Sequence, residues 1–165
     1  MSESRKEYRL LEKYNYKGQR LNLVGSGQKW YFFIRVFNAG FYLPPDTDAC
    51  RALEDVPKRI ELIYYTSLPG KRLAMETRKA MKRNSTKEQY EQFKSRIDIM
   101  DTYFVNLKAG DHFINVYIPG YGTDYIFNGE IIGHIDGADF ARALFAVWVG
   151  DSPIDKGLKV KLLSL

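Results

Sequence analysis

The spacing of apolar residues divides the chain into stretches of different period. Alternation with aromatic and β-branched residues predicts strands over residues 8–16 and 19–24, parted by Lys17-Gly18. Residues 30–43, which open Trp30-Tyr31-Phe32-Phe33-Ile34, predict one longer strand, bent at Asn38-Ala39-Gly40 and stopped by Pro44-Pro45. A short helix over 49–55 and a strand over 59–67 follow. After Pro69 the period changes to that of helices, with Leu73, Thr77, Ala80 and Met81 on one narrow stripe. Ser85 or Thr86 caps a second helix, with Glu88 or Gln89 placed to close a capping box. Its stripe runs through Tyr90, Phe93, Ile97, Met100 and Phe104.

Strands return over 112–118, 123–127 and 130–135, the last two joined by Asn128-Gly129, a pair suited to a turn with positive φ at both positions. A helix from Ala138 carries Phe140, Leu144, Val147 and Trp148 on one side and ends at Gly150. Ser152-Pro153-Ile154-Asp155 reads as a capping box opening a final short helix. No repeat or linker interrupts the chain. Strands, a helix pair, strands and helices in that order predict one α+β domain over residues 1–165, an antiparallel sheet with helices on one face.

Composition narrows the chemistry. With 165 residues, 45% of them hydrophobic and 15% aromatic, the chain can bury a genuine core. Such a core can also wall a pocket for an apolar ligand. Gly25-Ser26-Gly27 has the look of a phosphate loop, but it runs into a strand rather than a helix, so a dinucleotide site is set aside. The single Cys50 cannot form an internal disulfide, and His112 and His134 stand in separate strands, which argues against a metal site. No cofactor is expected. The opening MSESRKEYR has no apolar segment of a signal peptide, and no stretch is long enough to span a membrane. As written this points to the cytoplasm; a leader already removed would leave the same trace in a periplasmic protein. The net charge of +5 is local: Lys71, Arg72, Arg78, Lys79, Lys82 and Arg83 face only Glu76 within their segment. That run suits an acidic partner or anionic surface, while no aromatic interleaving or motif supports nucleic acid.

Two blocks resemble the chalcone isomerase-like family. Leu23 to Lys29 is similar to its glycine motif, and Ile34-Arg35-Val36-Phe37-Asn38-Ala39-Gly40-Phe41-Tyr42-Leu43 to the strand that follows it. Gly110-Asp111, Ile118-Pro119-Gly120, Asn128-Gly129, Phe140, Ala143-Leu144 and Val147-Trp148-Val149-Gly150 fall in the family's order, so the likeness runs from about residue 8 to 163 and is greatest to the bacterial branch. The resemblance implies a long antiparallel sheet with helices on one face and a cleft between. It also implies two activities in plant branches: cyclisation of chalcones to flavanones, and fatty-acid binding in the same cleft. Fold alone transfers neither.

By the same resemblance Lys29 stands where the family has its anion-binding arginine, keeping the charge without the bidentate fork. Phe37 replaces a threonine or tyrosine, Lys71 and Arg78 fall near the helical tyrosine and asparagine, and Val147 replaces a threonine or serine. Cyclisation needs donors to the developing oxyanion, each worth roughly 3 kcal/mol, and Phe37 and Val147 offer none. Lys29, Arg35 and Phe37 share strand parity, which predicts that all three face one side. The helical spacing sets Lys71 and Arg78 towards water. The expectation is a non-catalytic binder of a small hydrophobic acid, of the fatty-acid kind, without isomerase activity. The alternatives are an isomerase or lyase acting on another substrate through Lys29, Arg35 or a tyrosine, and a docking protein that uses the basic helix.

Overall fold

The computed structural model describes residues 8–165. Seven strands, β1 (Lys13–Tyr16), β2 (Gln19–Tyr31), β3 (Ile34–Leu43), β4 (Lys58–Tyr64), β5 (His112–Ile118), β6 (Gly122–Phe127) and β7 (Glu130–Ile135), form one sheet in chain order. Every neighbouring pair is antiparallel. Four helices complete the fold: α1 (Gly70–Arg83), α2 (Lys87–Asp101), α3 (Ala138–Val149) and α4 (Lys156–Leu162). This is the α+β architecture expected from the alternating periods.

Strand alternation divides the apolar residues between two faces. Phe37, Phe41, Phe113 and Tyr117 join the helices in the main core, where Phe93 meets Phe140 and Phe41 meets Phe145. Tyr42, Ile114, Val116 and Ile118 point the other way and pack with Leu21 and Ile126 under β1. The predicted helix stripes are buried at Leu73, Thr77, Ala80 and Met81 on α1 and at Phe93, Ile97 and Met100 on α2. Thr86 and Gln89 close the capping box of α2.

The strand predicted over 30–43 is two strands. Tyr31 pairs with Ile34, and Phe32-Phe33 makes the turn between β2 and β3, with Phe32 at φ 53°. Nothing in that turn is glycine, proline or asparagine, so its apolar run has the signature of strand interior. The predicted bend at Asn38-Ala39-Gly40 is instead regular strand paired to Ile63, Leu62 and Glu61 of β4. Further corrections concern β1, which forms only over Lys13–Tyr16 rather than 8–16, and the glycine motif, which lies inside β2. There α4 crosses the strand so closely that a Cβ on Gly25 would sit 2.1 Å from the Lys161 carbonyl oxygen, and one on Gly27 would sit 2.9 Å from Leu158 Cδ1. The glycines admit a helix rather than a phosphate.

α4 also begins later than its predicted capping box. Asn84 donates to the Ser152 carbonyl and accepts from its N–H, at 2.8 and 2.9 Å, which holds the segment after α3 out of helix. Asp155 is then the cap, accepting from the Leu158 N–H at 2.9 Å.

Candidate functional site

Between the β2–β3 end of the sheet and helices α1 and α3 lies a cleft of about 690 Å³. Its wall is aromatic and aliphatic: Ile34, Val36 and Phe37 from β3, Tyr64 from β4, Leu73 from α1, and Val147 and Trp148 from α3. Phe37 is edge-on to both Tyr64 and Trp148, at 5.7 and 5.9 Å between centroids. The volume lies within the roughly 300–1,000 Å³ typical of small-molecule sites. Three of the residues singled out from the sequence, Lys29, Phe37 and Val147, line it together.

Arg35 does not join them, contrary to the parity argument. A bulge sets Lys29 opposite Phe37 but Trp30 opposite Arg35, so Val36 and Phe37 both line the cleft. Arg35 points away, its guanidinium carbon 3.6 Å from the centre of the Tyr65 ring. Lys71 and Arg78 lie on another flank of α1, at a separate depression of about 250 Å³ with Met75 and Phe104. Both are exposed, and Arg78 pairs with Asp101.

The cleft's charges are unequally engaged. Lys29 Nζ lies 2.7 Å from Asp155 Oδ2. The Lys29 hydrogen bond, with that from the Leu158 N–H, holds the Asp155 carboxyl below its ordinary range. Any acid approaching Lys29 therefore competes with a carboxylate already in place. Arg72 and Arg83 also line the cleft, are exposed, and have no carboxylate partner among the described residues. Sequence reasoning assigned them only to the basic run. Their spacing held a further signal: Arg72, Glu76 and Arg83 stand at i, i+4 and i+11, one helical side beside Leu73 and Thr77.

Tyr64 is the other residue missed. It is fully buried, lines the cleft, and its hydroxyl has no hydrogen-bond partner among the described residues. Burial alone pushes that hydroxyl well above its ordinary value, so it stays protonated and can donate. An unpaired buried hydroxyl costs about 1–3 kcal/mol, part of which a bound acceptor would recover. The Thr77 hydroxyl, by contrast, is committed to the Leu73 carbonyl at 2.8 Å. Among the described residues no three acidic, histidine or cysteine side chains gather as a metal site, and no helix is long and apolar enough to cross a membrane.

The sequence profile of a family described as chalcone isomerase-like matches residues 3–164. A search of curated proteins returns no match. Among solved structures, a fatty-acid binding protein from Arabidopsis thaliana superposes with a TM-score of 0.69. The alignment covers 87% of this chain and 86% of the plant protein at 15% identity, a likeness of fold.

Proposed function

The chain belongs to the chalcone isomerase-like family, and from that premise we propose that its cleft binds a small hydrophobic acid of the fatty-acid kind without catalysing chalcone cyclisation. One observation carries the reading: a largely apolar cleft of about 690 Å³ has on its lining two arginines without carboxylate partners among the described residues, against the single carboxylate of Glu76. An apolar tail against Phe37, Val147 and Trp148 gains about 0.8 kcal/mol for each methylene it buries. A carboxylate at the mouth gains charge-assisted hydrogen bonds from Arg72 and Arg83, whose planar forks suit it. Tyr64 offers one further donor. The fatty-acid binding of the plant neighbour supports the same reading at the level of the family.

The cyclisation reading is the weaker one. Phe37 and Val147 put hydrocarbon where the resemblance would require hydroxyls, so two of the donors that a developing enolate would need at those positions are absent. Flavanone formation at an enzymatic rate by the purified protein would overturn this.

Native mass spectrometry of gently purified protein, followed by denaturing extraction, tests the binder reading. The expected result is a bound acid, or saturable uptake of a fluorescent fatty acid by apo protein. Arg72→Ala/Arg83→Ala should weaken uptake roughly tenfold. Val147→Trp should abolish it by filling the cleft. A clean apo mass with no uptake, or uptake unchanged in Val147→Trp, would sink the reading.

A further inference from the structure

The tip of the β2–β3 hairpin exposes five consecutive apolar or aromatic residues: Trp30 at 51%, Tyr31 at 58%, Phe32 at 81%, Phe33 at 94% and Ile34 at 56% of their full surface. Side chains of this kind gain nothing from water, and a contiguous patch of them marks a surface that something covers. The backbone makes the same point. Phe32 sits at φ 53°, a conformation that costs a residue with a Cβ about 1–2 kcal/mol and in which glycine or asparagine is usual. Phe32 meets the Tyr31 ring edge to face at 4.7 Å between centroids, and four-fifths of its surface stays open.

We propose that this hairpin tip docks on an anionic lipid bilayer, with Phe32 and Phe33 entering the acyl boundary. The order of residues fits a bilayer better than a protein groove. Trp30 and Tyr31, each with an apolar body and a polar tip, flank the phenylalanines as aromatic residues do at the membrane–water interface. Charge supplies the complementarity. Tyr31 and Ile34 also line the cleft, and so do Arg72 and Arg83, cations without carboxylate partners among the described residues. On that side of α1 Glu76 is the one carboxylate beside the two arginines, while Lys71 and Arg78 lie on another flank of the helix and Arg78 is paired with Asp101. A face that combines an inserting apolar tip with neighbouring cations binds through both terms, and near an anionic surface each cation contributes about 1 kcal/mol.

The docking stands on the tip and its charges alone. Its consequence rests on the ligand reading above: docked in this way, the cleft opens at the lipid surface, and an acyl ligand passes between bilayer and cleft without crossing water.

Intrinsic tryptophan fluorescence and co-sedimentation with vesicles test the docking. Trp30 is half exposed whereas Trp148 is buried, so Trp30 reports the environment of the tip. Emission should shift to the blue with vesicles of phosphatidylcholine and phosphatidylglycerol, and much less with phosphatidylcholine alone. The variant Phe32→Asn/Phe33→Gly takes the turn sequence that the chain itself uses between β6 and β7. It should fold, as shown by an unchanged circular dichroism spectrum, and partition to vesicles at least roughly tenfold less. Arg72→Ala/Arg83→Ala should lose the preference for phosphatidylglycerol and its salt sensitivity.

No blue shift with either vesicle, or equal partition by the turn variant, would overturn the proposal. So would a concentration-dependent dimer that the turn variant dissolves without any vesicle binding, since the tip would then cover a second copy. Uptake of fluorescent fatty acid in vesicle-free buffer is read separately. If it fails while vesicle binding persists, the cleft reading falls and the docking stands.

Discussion

Two hairpins of the same sheet are fastened at opposite ends. In β6–β7 the tip is tied. Asn128 and Gly129 sit at φ 48° and 85°, the Asn128 side chain accepts from the His112 N–H at 2.8 Å, and its amide donates to Asp111 at 3.1 Å. In β2–β3 the base is tied, with α4 pressed onto Gly25 and Gly27, while the tip is two phenylalanines held by little beyond strand pairing. A turn chosen for folding uses residues that relax a positive φ and hydrogen-bond the chain nearby. A tip made of phenylalanine does neither. Its sequence answers to something outside the fold.

The largest effect expected from this contrast lies at the tied base. Gly25→Ala places a methyl group 2.1 Å from a backbone oxygen of α4, where no side chain can swing aside. It should destabilise the protein by about 3 kcal/mol, the upper end of overpacking costs, as read from urea unfolding. Gly129→Ala has nothing within 4 Å of its new Cβ and strains only its φ, so about 1 kcal/mol is expected. Equal losses would mean that α4 does not clamp β2.

The tips supply the next two comparisons. Asn128→Ala removes two hydrogen bonds and a residue tolerant of positive φ, which should cost about 1–2 kcal/mol. Phe32→Asn/Phe33→Gly should leave stability within about 1 kcal/mol of the native protein, because asparagine relieves the positive φ at 32, the glycine at 33 loosens the unfolded chain by a similar amount, and no core is uncovered. A loss above about 1 kcal/mol in that variant would mean that the aromatic tip serves the fold after all.

How far the sequence was legible follows the same division. Features with a local cause were readable: the capping box of Thr86 and Gln89, the Asn128-Gly129 turn, and the alternation that sends Phe113 and Tyr117 to one face of β5 and Ile114 and Val116 to the other. The β2–β3 turn was not, because apolarity signals burial and here it signals exposure. The resemblance brought Lys29, Phe37 and Val147 to attention, and they meet in one cleft. Arg35 left that group through a bulge, a one-residue register shift that no alternation pattern foretells. Tyr64 ends β4, a strand of seven buried residues that includes Lys58, Arg59 and Glu61, so nothing in its local pattern marks its hydroxyl, which stands out as unpaired only when its neighbours are placed. The sequence pattern makes Asp155 the third position of a capping box. As the cap itself it lies within reach of Lys29 and neutralises the cation that the resemblance makes prominent.

The smallest expected effect is a pH dependence that belongs to the tied hairpin alone. His134 of β7 lies between two carboxylates, its Nδ1 2.7 Å from Asp124 and its Nε2 2.8 Å from Asp136. Asp124 is fully buried and also accepts from the hydroxyls of Tyr16 and Tyr121; Lys17 lies 4.5 Å from the centre of the Tyr121 ring. Burial by itself would lower the His134 pKa, but the hydrogen bonds to Asp124 and Asp136 outweigh it and raise it above 6.5. The folded protein therefore holds this proton more tightly than the unfolded chain. The resulting stability is fully present below pH 6.5 and is lost as pH rises through the folded-state value. A third of the side chain is exposed, so solvent screening keeps the effect small. Urea unfolding between acidic and mildly alkaline pH should show stability declining across that window in the native sequence and much less in His134→Gln. An NMR titration should put the His134 midpoint above 6.5. A midpoint at or below it, or identical pH slopes in the two proteins, would show that the carboxylates do not hold the proton. The tie at the β6–β7 hairpin would then rest on Asn128 and the tyrosine hydroxyls.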